Sequence, residues 1–400
     1  MKLRPRSVLA IATCSALAFF ALAAPVGART VRPAAPLRAA RAVGLGKILT
    51  TADGGQIFGF DINQAGDDGV LASSQTIKPN GELLVSVETF DQDTGRILKS
   101  FAKYRGKQNS YGVDGIFAGD VGLVTHYFEP KNSIYSIRYY DVMNPVSGGK
   151  FTGRWTPPIK DVDVQLIAEN QTTTTSVLYA IELKNNDVPD LFVSNIAANT
   201  FGPVIHLDPD LFSLEYDPQL GQYTAANQAV LALSPDAGEV GGSAPLNVLV
   251  DLSSGKTIMF NGFNGGPYGA GAVNGLAVDP NTGVAATTTE LNAQVEFYDL
   301  AKRAGIEAVQ LPCTGPSSQL SSGAGITVDP LNKLFLVTEQ LYCNGNQGSA
   351  LIVYNERGHL IETITGFSFV GAEPPVAINP SKRMGWAWGP GFSHLQQFFY

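Results

Sequence analysis

Six residues with oxygen-bearing side chains stand where chemistry could be built. Asp114 and Asn274 each precede a glycine, Glu290 and Glu339 end runs rich in apolar and β-branched residues, and Glu239 and Glu373 lie in stretches rich in Gly and Pro. Carboxylate and amide oxygens suit a hard divalent cation such as calcium. Such a cation could polarise a lactone or ester carbonyl. The same residues also fit a plainer reading, because Asn-Gly and Asp-Gly are common turn pairs and a strand-end Glu is usually solvated. Other catalytic patterns fail. His126, His206, His359 and His394 are far apart and form no HExxH pair, and no G-x-S-x-G elbow occurs. The Gly-rich stretch 261–275 precedes a strand pattern instead of opening a helix, which counts against a phosphate cradle.

Composition sets the environment for these groups. Residues 1–28 carry Lys2, Arg4 and Arg6, then an apolar run, then a small-residue cleavage pattern before Arg29, which is the order of an export signal peptide. Residues 29–44 form an Ala/Pro/Arg-rich leader, and 45–400 the single domain. The expected location is secreted or periplasmic, with no membrane span once the signal is removed. The formal net charge is -8, and loss of the signal's Lys2, Arg4 and Arg6 makes it more negative, which excludes nucleic acid as a natural partner. With Cys14 in the signal, Cys313 and Cys343 remain as an even pair in an oxidising compartment and are expected to form a disulfide. Asn170 opens an N-glycosylation sequon.

The elements that must position the oxygen ligands follow from a repeat. "NGLAVDPNTG" at 274–283 returns as "AGITVDPLNK" at 324–333 and as "PVAINPSKRM" at 375–384, at a period of roughly fifty residues, the spacing of propellers and arrays. Each phrase opens a unit of four short strands, clearest in 323–366, with further copies at 56–104, 114–155, 161–208, 212–263 and 273–311. In each copy the phrase reads as the innermost strand, ended by Asp/Asn-Pro in a turn. The last unit has only three strands, and the spare segment "GKILTTA" at 46–52 can complete it. The expected fold is therefore all-β: a seven-bladed β-propeller of four-stranded antiparallel blades, its ring closed by an N-terminal strand. Trp386, Trp388 and Phe392 are expected to pack between blades. Residues before each first strand or ending each second strand should share one face over the channel, so the site is expected there.

The phrases "NGLAVDPNTG" and "AGITVDPLNK" and the hairpin "LIVYNERGHLIETITG" resemble the NHL-repeat and gluconolactonase (senescence-marker-like) superfamily of β-propellers, with some likeness to YVTN-type propellers. The resemblance implies a divalent metal on the propeller axis, with Asn274 and Asp114 as ligands and a Glu from a further blade. The chain departs from that pattern in having Ala324-Gly325 where the family favours Asp-Gly. Two functions follow: a secreted binding propeller that takes a small molecule, glycan or protein at its channel face, or a metal-assisted lactonase-like hydrolase.

Overall fold

The computed structural model describes residues 42–400 except 65, 78–81, 108–115, 118–122, 130–133, 142–149, 156–161, 172, 174, 183–187, 196–199, 209–215, 236–245, 262–272, 290–293, 312–321, 344–345 and 369–375. The chain forms antiparallel four-stranded sheets, numbered here in chain order. Sheet 1 is Gln56–Ile62, Asp68–Ile77, Glu82–Asp91 and Ile97–Lys107. Sheet 2 is Ile116–Phe117, Leu123–Glu129, Ile134–Asp141 and Lys150–Trp155. Sheet 3 is Val162–Asn170, Thr175–Glu182, Val188–Asn195 and Thr200–His206. Sheet 4 is Tyr216–Tyr223, Gln228–Pro235, Leu246–Asp251 and Thr257–Asn261. Sheet 5 is Val273–Val278, Val284–Thr289, Gln294–Asp299 and Ala304–Gln310. Sheet 6 is Ser322–Asp329, Leu334–Cys343, Asn346–Asn355 and Leu360–Phe367. Sheet 7 is Val376–Asn379, Met384–Trp388 and His394–Phe399, and Gly44–Thr50 pairs antiparallel with its last strand, Thr50 opposite His394. The fold is an all-β propeller closed by an N-terminal strand.

The expected ring of seven equivalent blades is corrected. Six blades surround the channel, which the inner strands of sheets 1, 3, 4, 5, 6 and 7 line among the described residues. Among the described residues the inner strand of sheet 2 is Ile116–Phe117, which does not line the cavity, and sheet 1 hydrogen-bonds directly to sheet 3 through Gln64 and Gln171. The repeat counts copies of a sequence unit, whereas blade number around a channel depends on how many inner strands reach it.

Side chains from adjacent sheets interleave to make the core, which is why the middle strands are apolar on both faces. Val177, Tyr179, Leu231 and Val248 pack together from sheets 3 and 4. Phe297 of sheet 5 meets Phe335 and Tyr354 of sheet 6 edge-on, at centroid distances of 5.6 and 5.8 Å. Between sheets 7 and 1, Trp386 is wholly buried against Phe90, 5.6 Å away, and its Nε1 donates to the Gln92 carbonyl. Trp386 is thus a packing residue, while Phe392 is partly exposed beside Trp388.

The repeated phrase has a specific local chemistry. Asp279, Asp329 and Asn379 are all buried. Asp279 Oδ1 accepts from Asn281 N at 2.8 Å and Thr282 N at 3.2 Å, and Asp329 Oδ1 accepts from Leu331 N at 3.0 Å and Asn332 N at 2.9 Å. Asn379 Oδ1 accepts from Lys382 N at 3.3 Å and Ser381 Oγ at 2.7 Å. Each side chain mimics a backbone turn and so ends the inner strand. The turn closes on a left-handed residue, Gly283, Lys333 or Arg383, with φ of 72°, 56° and 48°, a conformation natural only to glycine among these three.

Sheet 4 breaks the register read from sequence. Asp217-Pro218 looks like the same turn, but both lie inside the inner strand Tyr216–Tyr223, which ends instead in a 3-10 turn at Thr224–Ala226. An inner strand is a free edge, so a proline there need not sacrifice a ladder bond.

Asp329 also binds the chain terminus: its Oδ2 accepts from the Tyr400 hydroxyl at 2.9 Å and from Asn332 Nδ2 at 2.7 Å. Burial, then the neighbouring Asp329 charge, push the Tyr400 hydroxyl pKa far up, so it stays a donor. Asp329→Ala strands the buried Tyr400 hydroxyl and removes the acceptor of the turn's N–H groups, and should lower unfolding stability by about 2 kcal/mol or more, whereas Tyr400→Phe, which removes one bond, should cost about 1 kcal/mol. Urea midpoints of the two variants check this, and equal losses would contradict it.

Candidate functional site

A cavity of about 580 Å³ runs along the axis. Its walls are the C-terminal halves of the six inner strands and the turns that follow them, among them Gln64, Gln171, Thr224, Pro280 and Pro330. The described cavity therefore opens at the face carrying the turns between first and second strands. The loops of the opposite face, where the site was expected from sequence, lie mostly outside the described residues.

The walls divide into two halves. Sheets 5, 6 and 7, the copies with the Asp/Asn-Pro turn, present Leu276, Ala277, Ile326, Val328, Val376 and Ala377. Sheets 1, 3 and 4 present Asp61, Gln64, Glu169, Asn170, Gln171, Gln222 and Thr224, with Phe60 and Leu220 between them. Where sheets 5 to 7 end in proline turns, sheets 1 and 3 read "DINQ" at 61–64 and "ENQ" at 169–171, so polar side chains replace the proline at the same place in the blade.

Gln171 is the centre of the polar half. Its Nε2 donates to Asp61 Oδ2 at 3.1 Å, to the Ile62 carbonyl at 3.0 Å and to Glu169 Oε1 at 3.3 Å, while its Oε1 accepts from Gln64 N at 2.9 Å. One side chain thereby joins the turn of sheet 3 to the turn of sheet 1. Asn170 extends the network to sheet 4, with Nδ2 donating to Thr224 Oγ1 at 2.8 Å and Oδ1 accepting from Thr173 N at 3.1 Å. This sequon asparagine has its amide engaged within the fold.

Burial, then the negative charge of Asp61 and a hydrogen bond with it, push the Glu169 carboxyl well above the usual carboxylate range, while the Gln171 amide pulls it down. Two carboxyls this close cannot both ionise cheaply. Two acceptors on this wall meet no donor: Glu169 Oε2 and Gln222 Oε1. Gln222 is only 8% exposed, and its Nε2 reaches Thr175 Oγ1 at 3.4 Å.

The residues singled out from sequence fall elsewhere. Asn274 is partly buried as the second residue of the sheet 5 inner strand, at the end away from the polar turns. Glu339 is completely buried in the second strand of sheet 6, opposite Gly323 and Ala350, with neither carboxyl oxygen hydrogen-bonded. Asp114, Glu239, Glu290 and Glu373 lie outside the described residues, as do Cys313 and the side chain of Cys343. Among the described residues no three His, Cys, Asp or Glu side chains come together as a metal centre. Calcium takes six to eight oxygens; Asn274 and Glu339 do not make such a shell, and no catalytic step is derived from them.

No family model matches the chain, and neither does any curated protein. Among solved structures it is similar to the Dos1 propeller, at 10% identity with a TM-score of 0.50, covering 89% of this chain and 95% of that one. It is also similar to the β-propeller domain of Cps50 (Swd1) from Myceliophteria thermophila, at 11% identity with a TM-score of 0.54, covering 90% and 100%. These likenesses show the propeller fold alone and do not support membership of the NHL or gluconolactonase family. No described helix is long and apolar enough to cross a membrane.

Burial pushes the Glu339 pKa up from the usual 4.5 to about 9. The folded state therefore holds a proton that the unfolded chain releases near 4.5. The stability linked to this group is fully present below pH 4.5 and is lost as pH rises toward 9, at up to ~1.4 kcal/mol per pH unit. In Glu339→Gln that slope should disappear while acid-side stability changes less. Urea unfolding between pH 5 and 9 measures it, and parallel curves for the two proteins would refute the assignment.

Proposed function

We propose that the chain is a binding propeller that takes a small ligand, or a short projecting group of a partner, into its axial channel. The observation that carries this is the cavity of about 580 Å³, half polar and half apolar, since sites for small molecules are concave, largely preformed and lined by apolar surface with a few convergent polar groups. The propeller neighbours support a binding role at the level of fold. The signal-like segment 1–28 supports export, which makes the ligand an extracytoplasmic one. The polar half sits on rigid strand ends and turns, so recognition needs no large rearrangement.

The test is a fragment screen by ligand-observed NMR on the purified protein. Fragments should bind, and Thr327→Phe, which adds a ring to the cavity wall, should lower the occupancy of most hits at least tenfold while leaving the melting temperature within a few degrees. Hits indifferent to Thr327→Phe would show that binding occurs away from the channel and would sink this reading.

A further inference from the structure

We infer that the channel ligand carries an ammonium or guanidinium group on an apolar stem, the cation seated between Asp61, Glu169 and Gln222. This deepens the channel-binding reading and rests on it. Asp61 and Glu169 are the ionisable residues on the described cavity wall, and no described lysine, arginine or histidine lines it. A wall charged with one sign and bounded by low-dielectric strands concentrates the opposite charge.

The hydrogen-bond inventory makes the same choice independently. Gln171 uses both ends of its amide on protein groups, and the Asn170 amide is spent on Thr224 and Thr173. What remains open on the wall is acceptor capacity: Glu169 Oε2 and Gln222 Oε1 are buried and meet no donor. Buried acceptors without donors are costly, and a ligand able to satisfy them must bring N–H or O–H groups. Ammonium and guanidinium groups are donor-only, so they match open acceptors on a negative wall, whereas a carboxylate or phosphate meets repulsion and no donor. Asp61 and Glu169 project from sheets 1 and 3 and Gln222 from sheet 4, while the facing half of the channel is the apolar wall of sheets 5 to 7. A cationic head at the polar half therefore leaves its stem against Leu276, Ile326 and Val376.

The experiment is calorimetric titration with three chain-matched probes, n-butylammonium, 1-butanol and butanoate, into wild type, Asp61→Asn, Glu169→Gln and Gln222→Leu, with the melting temperature of each variant checked. Butylammonium should bind at least tenfold tighter than butanol, and butanoate should not bind measurably. Each acidic variant that folds should lose most of that preference while butanol binding stays unchanged, and Gln222→Leu should lose a smaller part. Butanol or butanoate binding in the channel as tightly as the ammonium would overturn the cation assignment and leave the binding propeller standing. If no probe is displaced by Thr327→Phe, the channel reading fails as well. An ammonium preference that survives Asp61→Asn and Glu169→Gln together would place the cation elsewhere and overturn the inference.

Discussion

A ring of sheets depends on closure. Each sheet has two free edges, and in an open array the terminal sheets would also leave one packing face uncovered. Here the constraint is met by Gly44–Thr50, which pairs with His394–Phe399 and completes sheet 7 from the opposite end of the chain. Sheet 7 is then pressed against sheet 1 by a small polar hub. Gln92 Nε2 donates to the carbonyls of Asn63 and Asp68, its Oε1 accepts from Asn379 Nδ2, and its own carbonyl accepts from Trp386 Nε1 and Gln397 Nε2. Gln92 is wholly buried with every one of these groups satisfied, the condition under which a buried polar network rigidifies a core instead of weakening it.

The channel follows from closure plus one irregularity. Sheet 2 contributes an inner strand of two residues, and the space at the turn end is bridged by Gln171 reaching Asp61 and the Ile62 carbonyl. The bridge brings a second acid, Glu169, against Asp61. The two acids of the polar half thus come from the two sheets that Gln171 joins.

Much of this was legible in the residues. The phrase apolar-x-apolar-Asp/Asn-Pro marks sheets 5, 6 and 7 because its chemistry is local: the side chain caps its own turn within three residues. Closure was legible too, since a three-strand remainder and a spare strand are both visible as patterns. Blade number was not, because a repeat counts copies of a sequence unit and carries no local signal of which inner strands line the channel. The channel site escaped for a related reason. Attention went to Asn274, Glu339 and the other oxygen donors by their position relative to strand starts and ends, whereas the cavity acids pair across 107 to 110 residues through Gln171. The available signal was negative: "DINQ" and "ENQ" occupy the junction where the clearer copies carry Pro. Asp217-Pro218 shows the converse error, a motif match inside a strand.

The two raised carboxyls differ in what surrounds them. Glu339 stands in the core of sheet 6 with no hydrogen bond to either oxygen. Its proton is held by desolvation alone, and it contributes nothing to the described cavity. Glu169 is also reluctant to ionise, but its cause includes Asp61, and its surroundings include Gln171 and the cavity. A hydrophobic substitution at the first site would relieve an isolated burden, because no partner is left unpaired. At the second, the same substitution would strand Asp61 and part of Gln171, the side chain that joins sheets 1 and 3. Removing one member of a buried charged network costs more than its presence does. The polar half of the channel is thus held in place by the same contacts that complete the ring, which ties any change in its recognition chemistry to the stability of the fold.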